Sequence, residues 1–343
     1  MSNFFYIFLI IIFLLSEILL RNNFFFDRIE FSKHKTFVND KKVPTTGGIF
    51  LLLFLIFFFE ELSYLSYIYL SLIFLMGFSS DRLKNFSPKF RLISQIILTF
   101  LFIIDNSTFV SDVRIDNINF LLKNYEEISI LFTIFCFIVL VNGTNFIDGT
   151  NLNTIGYYIA VYLIIFYLSN KYNFYIDIVF HKKIILFLFL LYFLNLFNKI
   201  QLGDSGSYLI GFFTAFYVIE FINSNNFISP YFAVLLLWYP CFENLFSILR
   251  KIYQKKDVST ADNLHLHHGI YLFLKIKNYK YCNNFTGFFI NLFNLFILIL
   301  GAFFFNSTNK IILIISLSII VYVLIYNYLI KIILSKKFSK NLK

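Results

Sequence analysis

Long apolar runs separated by short polar clusters set the pattern of this chain. The run ISILFTIFCFIVLV, for example, leads straight into NGTNFIDGTN, Asn142 to Asn151. About 20 apolar residues at 1.5 Å rise cover the hydrocarbon core of a bilayer, so such runs predict membrane-crossing helices. They lack the alternation of outer-membrane strands. Eleven runs are counted, at 4–20, 46–59, 62–79, 92–104, 129–141, 153–168, 183–197, 206–222, 230–248, 285–304 and 311–330. The predicted fold is all-α: a polytopic integral membrane helical bundle of about 11 transmembrane helices, forming a single domain over 1–343. The first run, Phe4 to Leu20, lacks a basic start and a small-residue cleavage site, and is expected to be a retained span.

Composition agrees. The chain is 59% hydrophobic and 14% charged, with mean hydropathy +0.76, which excludes an ordinary soluble domain. Three scattered cysteines fit neither a disulfide framework nor a zinc site. The net charge of +10 changes the picture through its placement. Of 29 Lys and Arg, 23 fall in alternate segments, namely 21–45, 80–91, 142–152, 198–205, 249–284 and 331–343. The positive-inside rule makes that side cytoplasmic, with the N-terminus outside and the C-terminus inside. The charge is then read as topology and attraction to anionic lipid, not as nucleic-acid binding.

Five polar clusters fall on the same predicted face: KKVPTTGG, SSDRLKNFSPKFRLISQ, NGTNFIDGTN, KIQLGDSGS and DNLHLHHGIY. A channel or transporter is expected to carry its polar residues near the bilayer midplane, and here the spans are almost free of charge. A site at the membrane surface is therefore favoured over a path through it, and a transporter or flippase for a lipid-linked sugar is the alternative. In PTTGG, a plain loop-to-helix turn and an anion-binding helix start both fit Thr45, Gly47 and Gly48. In GDSGS, Asp204 fits both a helix cap and a ligand. Asn142, Asn145, Asp148 and Asn151 recur every third residue, and a tight 3₁₀ turn would align all four. Asp81, Asp148 and Asp204 can meet if the helices bundle, and a few oxygen donors suit Mg²⁺ bridging substrate phosphates. His265, His267 and His268 suit phosphate or a sugar hydroxyl better than structural zinc. His34 and His181 are read as ordinary surface histidines. Glu243, an acid in an apolar run, is expected to snorkel or to pair with Arg250.

With these motifs in order, the chain resembles the polyprenyl-phosphate N-acetylhexosamine-1-phosphate transferases. This is glycosyltransferase family 4, which includes the WecA-like enzymes and, more distantly, the MraY translocases. The resemblance covers about 41–271, the motif-bearing catalytic region. SDRLKNFSPKFRLISQ is similar to the family's aspartate–aspartate motif, NGTNFIDG to its N-x-x-N-x-x-D-G motif, and PTTGG, GDSGS and HLHH to the remaining three. Two positions depart from the pattern. Ser80 precedes Asp81 where the family has adjacent acids, and Asn151 stands before Leu152 where an Asp is frequent.

The resemblance implies transfer of an N-acetylhexosamine-1-phosphate from a UDP-sugar to a polyprenyl (undecaprenyl) phosphate, with release of UMP. The setting is the cytoplasmic face of a bacterial inner membrane, and the product would begin a cell-surface polysaccharide such as an O-antigen. It implies Mg²⁺, with Mn²⁺ as a substitute, and leaves room for a homodimer. Asp204 becomes the main metal ligand with Asn145 beside it, Asp148 shapes the uridine or metal-water shell, and Asp81 is the base or nucleophile anchor. The three histidines hold diphosphate or sugar, and Lys42, Lys199 and Arg250 are phosphate contacts. Thr45, Gly47, Gly48, Asn142 and Asn151 complete the expected substrate-binding set.

Overall fold

A computed structural model describes residues 3–22, 43–83, 86–257 and 264–340, with side chains to 333. Lys42 and His34, both singled out above, lie outside the described residues. Fourteen helices make up the described chain: α1 (Asn3–Arg21), α2 (Gly47–Phe58), α3 (Tyr64–Arg82), α4 (Pro88–Asn106), α5 (Asp116–Asn124), α6 (Glu126–Ile147), α7 (Asn153–Tyr172), α8 (Ile178–Leu196), α9 (Gly203–Asn223), α10 (Pro230–Leu236), α11 (Trp238–Tyr253), α12 (Leu266–Ile276), α13 (Cys282–Ala302) and α14 (Thr308–Lys340).

Each of the eleven apolar runs forms a helix, with one qualification. The ninth breaks at Leu237 into α10 and α11, which are bent by 74°. Among the described residues six helices are long and apolar enough to cross a membrane, seven if the bent pair is one span, and α2 is apolar but has only 12 residues. Two helices were not read from the sequence. α5 lies between the fourth and fifth apolar runs, and α12 begins within the histidine motif, with His265 at its N-cap and His267 and His268 in its first turn.

α9 is apolar on all sides and nearly all of it is buried, as expected for the core helix of a bundle. Between helices in lipid the drive comes from close packing, which small residues allow. α9 meets α2 and α3 in this way. A Cβ on Gly48 would lie 2.6 Å from the Gly206 nitrogen, and one on Gly77 would lie 2.5 Å from the Ser205 Cα. Farther along, phenylalanines fill the core. Phe59 and Phe213 pack edge-on at 5.0 Å, as do Phe102 and Phe212 at 4.9 Å.

The helix ends sort into two sets. At one end lie the finish of α3, the starts of α2, α4 and α9, the finish of α6, and the turns beside α12 and α13. At the other, Ser66 donates to Asp105, Thr108 to Glu220, and Arg114 to the Asn306 carbonyl. His181 is near this second end, but the surface reading is corrected. It is fully buried, with Nδ1 2.7 Å from the Tyr217 hydroxyl and Nε2 2.7 Å from the Tyr162 carbonyl.

Candidate active site at the motif end of the bundle

The site begins with a helix cap supplied from another helix. α9 starts with Leu202 at its N-cap, which has no side-chain oxygen to offer the first free N–H groups. Asp81, in the last turn of α3, takes that task. Its Oδ1 accepts from the Asp204 N–H at 3.0 Å and its Oδ2 from the Ser205 N–H at 3.3 Å. These are the second and third helical positions, the donors an N-cap side chain ordinarily satisfies. Asp81 adds its negative charge where the α9 dipole is positive. Gly203, at φ +69°, allows the approach: a Cβ there would lie 2.7 Å from Asp81 Oδ2.

Asp204 therefore stands in the first turn of α9 beside a second carboxylate. Its Oδ2 accepts from Ser80 Oγ at 2.7 Å. Arg91, from the start of α4, donates to Ser80 Oγ at 2.9 Å and to the Tyr208 hydroxyl at 3.1 Å, with its Nη1 3.8 Å from Asp204 Oδ2. Two acids are thus partly balanced by one guanidinium, and the serine that departs from the family pattern links the two charges. On the far side, Ser207 Oγ donates to Asn145 Oδ1 at 3.1 Å, which brings the end of α6 against the first turn of α9.

The three-carboxylate cluster is not formed. Among the described residues no three His, Cys, Asp or Glu side chains gather so as to hold a metal ion. Asp81 and Asp204 meet, and Asp148 caps the end of α6 outside any such trio. The physical reason lies in the helix. α6 remains α-helical through Ile147, so Asn142 and Asn145 are turned about 300° from one another, and Asp148 and Asn151 lie in the turns beyond it, where no 3₁₀ helix aligns the series. Asn142 donates to Gln95 on α4, and Asn145 faces Ser207 on α9. Asn151 donates to Asn198 and Asn284, while its own N–H bonds Asn283. The structure gives Asn151 the work of holding the α6–α7 turn, where Leu152 sits at φ +69°.

Other expected contacts also have protein partners. The Gly47 N–H bonds the Gln201 carbonyl at 2.9 Å, and the Gln201 N–H bonds the Pro44 carbonyl at 2.8 Å. Gly47 is thus occupied, Gly48 serves the close approach to α9, and Thr45 packs beside Gly203. Lys199 pairs with Glu17 of α1. Arg250 donates to Ser247 and lies over the Phe246 and Tyr326 rings.

The histidines form the second wall. His265 and His267 are parallel, 5.7 Å apart, and His267 lies 4.1 Å from His268. His267 is buried against Gly149, the residue after Asp148, where a Cβ would come within 2.0 Å of its Nε2. Neither of its ring nitrogens has a hydrogen-bond partner among the described residues. Burial first, then the His268 and His265 rings, holds the His267 pKa well below its usual value, so the ring is neutral. Glu243 does not pair with Arg250. It is fully buried and accepts from His265.

Arg91, Gln95, Ser207 and Tyr322 were missed as site residues. Arg91 and Gln95 carried a legible signal, since they lie four apart in a motif already quoted and so share one face of α4.

The arrangement is that of a multi-pass helical membrane protein with its polar chemistry gathered at one end of the bundle. Residues 63–222 match the family model of glycosyl transferase family 4. The matched stretch holds Asp81, the Asn142–Asn151 series and Asp204, and leaves the PTTGG and histidine motifs outside. A 76-residue stretch is 30% identical to a protein of Bacillus subtilis (strain 168) described as a probable undecaprenyl-phosphate N-acetylglucosaminyl 1-phosphate transferase. That stretch is 22% of this chain, and the chain spans about a fifth (21%) of the length of that relative.

Proposed function

We propose that the protein is a phosphotransferase that moves an N-acetylhexosamine-1-phosphate from a UDP-sugar to a polyprenyl phosphate at the cytoplasmic membrane face. One observation carries this reading: Asp81 and Asp204, 123 residues apart, meet at the first turn of α9 with Arg91 and Ser80 around them. A long isoprenoid is confined to the bilayer and a nucleotide sugar to the cytosol, so their phosphates can meet only at the interface. A cluster of acid, cation and helix N-terminus at one end of an apolar bundle suits that meeting. The reaction is phosphoryl transfer. An oxygen of the lipid phosphate bonds the β-phosphorus, the bond from that phosphorus to the bridging oxygen breaks, and UMP leaves with that oxygen.

The donor set fits a divalent ion held by few protein ligands and by substrate oxygens, as Mg²⁺ commonly is. Asp204 would hold it, with Asn145 beside it, and the ion would neutralise charge on the reacting phosphates. This chain's residues do the rest. Arg91 offsets the charge of Asp204 and stands ready for phosphate oxygens, since guanidinium suits planar oxyanion recognition. Asp81, spent on capping α9, anchors Asp204 in place. No separate base is needed: a phosphate monoester has its second pKa at about 6, so the acceptor is largely dianionic at neutral pH. His265, His267 and His268 face the sugar or diphosphate. Phosphoryl transfer asks for little beyond such positioning and charge neutralisation.

The test is to incubate membranes bearing the protein with a panel of labelled UDP-sugars and Mg²⁺, then extract lipid. Label in a polyprenyl-diphosphate product with matching UMP supports the reading, with an N-acetylhexosamine donor preferred. Sugar crossing into vesicles with no UMP released would instead support the transport alternative.

A further inference from the structure

Glu243 is a carboxylate with no exposure to solvent, in the second turn of α11. Burying a charge is costly unless its oxygens are well bonded. Here they are. Oε1 accepts from His265 Nδ1 at 2.9 Å and from the Leu266 N–H at 3.4 Å, and Oε2 accepts from the hydroxyl of Tyr322. Tyr322 comes from α14, the last helix, which lies outside the segment matched to the family.

The surrounding packing holds this set in place. Phe242 and Phe246 of α11 meet the Tyr322 ring edge-on at 4.9 and 5.6 Å, and Phe246 meets Tyr326 at 5.0 Å. Leu329 of α14 sits over Gly269 of α12. Three helices, α11, α12 and α14, therefore enclose one carboxylate.

The consequence falls on His265. A carboxylate accepts only, so Nδ1 must carry the proton, and a neutral ring then presents Nε2 as a bare acceptor. The ring is also fixed by Phe146 on α6, 5.0 Å away, and by His267 parallel to it. Its orientation is thus set relative to the α6 end that bears Asn145 and Asp148.

We infer that Glu243 and Tyr322 are positioning residues that lock His265 in its Nδ1–H form, making the C-terminal helix α14 a working part of the site. The catalytic consequence rests on the phosphotransferase reading, while the lock itself does not. By analogy with partners that orient histidines at metal sites, where removal costs about 10- to 100-fold, a loss at the low end of that range is expected here.

The test has two arms. In detergent-purified protein, ¹⁵N spectra of the histidines report the tautomer, with His265 assigned by comparison with His265→Gln. Wild type is expected to show only the Nδ1–H form, Glu243→Ala a mixture with Nε2–H, and Glu243→Gln, which keeps an acceptor, the wild-type form. Kinetics give the second arm. Tyr322→Phe removes only the hydroxyl and is expected to lower kcat about tenfold, with KM and thermal midpoint nearly unchanged. An unchanged tautomer in folded Glu243→Ala would overturn the inference, as would wild-type kcat in Tyr322→Phe. If Glu243→Ala fails to fold, the Tyr322→Phe kinetics decide alone. A wild-type protein that releases no UMP from any UDP-sugar defeats the phosphotransferase reading, and the spectra then decide the lock by themselves.

Discussion

Gly77→Ala is a sharp perturbation of the Asp81–Asp204 contact, because it acts on the site through backbone alone. The added methyl would lie 2.5 Å from the Ser205 Cα and 2.6 Å from both the Asp204 carbonyl oxygen and the Ser205 nitrogen. None of these atoms belongs to a flexible side chain that could swing aside. Ordinary contact begins near 3.4 Å, so α3 and the first turn of α9 must part by about 0.9 Å. The Asp81–Asp204 N–H bond, now 3.0 Å, would open beyond hydrogen-bonding range. Two effects are expected together. Overpacking costs about 1–3 kcal/mol of stability. A misplacement of roughly 1 Å in a reacting geometry costs on the order of 100-fold in rate. The assay is UMP release by purified protein, paired with a thermal midpoint in the same detergent. Gly269→Ala is the internal control. Its methyl would meet only the Leu329 side chain at 3.4 and 3.5 Å, so it should be tolerated, with a helix-propensity gain of up to about 1 kcal/mol. If Gly77→Ala matched wild type in both rate and midpoint, the close approach of α3 to α9 would not matter and the site's construction would be misread.

Other outcomes follow from the same contacts. Asp81→Asn keeps an oxygen for the α9 N–H groups, so its pH–rate profile should keep the wild-type shape. Asp81→Ala should cost about 0.5–2 kcal/mol as a lost cap, read as a lower thermal midpoint. His267 is neutral in the folded protein, and its unfolded pKa is near 6.5. Below pH 6.5 the unfolded chain takes a proton that the folded one refuses, so stability falls as pH drops, by up to about 1.4 kcal/mol per unit. His267→Gln should flatten a midpoint series run from pH 8 to 5. Chelation of divalent ions should stop UMP release, and added Mg²⁺ should restore it.

What the sequence made legible was the part fixed by local physics. The apolar runs give the helices, because in lipid each segment must satisfy its own backbone. The polar clusters mark one end of the bundle, because charge avoids the hydrocarbon. What it hid depends on partner choice between distant segments. Asp81 reads as a solvated helix end until the missing cap of α9 is seen opposite it. Asn142, Asn145 and Asn151 read as one patch because their spacing is regular, yet each faces a different helix. Glu243 reads as a stray acid near Arg250, because its true partners come from the turn before α12 and from α14, 79 residues on. The break at Leu237 falls one turn before Pro240, whose ring cannot sit against the Leu236 carbonyl of a continuous helix, so this bend was legible in WYPCFENLF.

The central claim is that the carboxylate at the first turn of α9 serves phosphoryl transfer, and Asp204→Asn tests it most directly. The variant keeps the shape of the side chain and removes its charge. In detergent, with Mg²⁺, a UDP-N-acetylhexosamine and polyprenyl phosphate, it should keep the wild-type thermal midpoint and lose about 100- to 1000-fold in UMP release. Wild-type release from the folded variant would contradict the account.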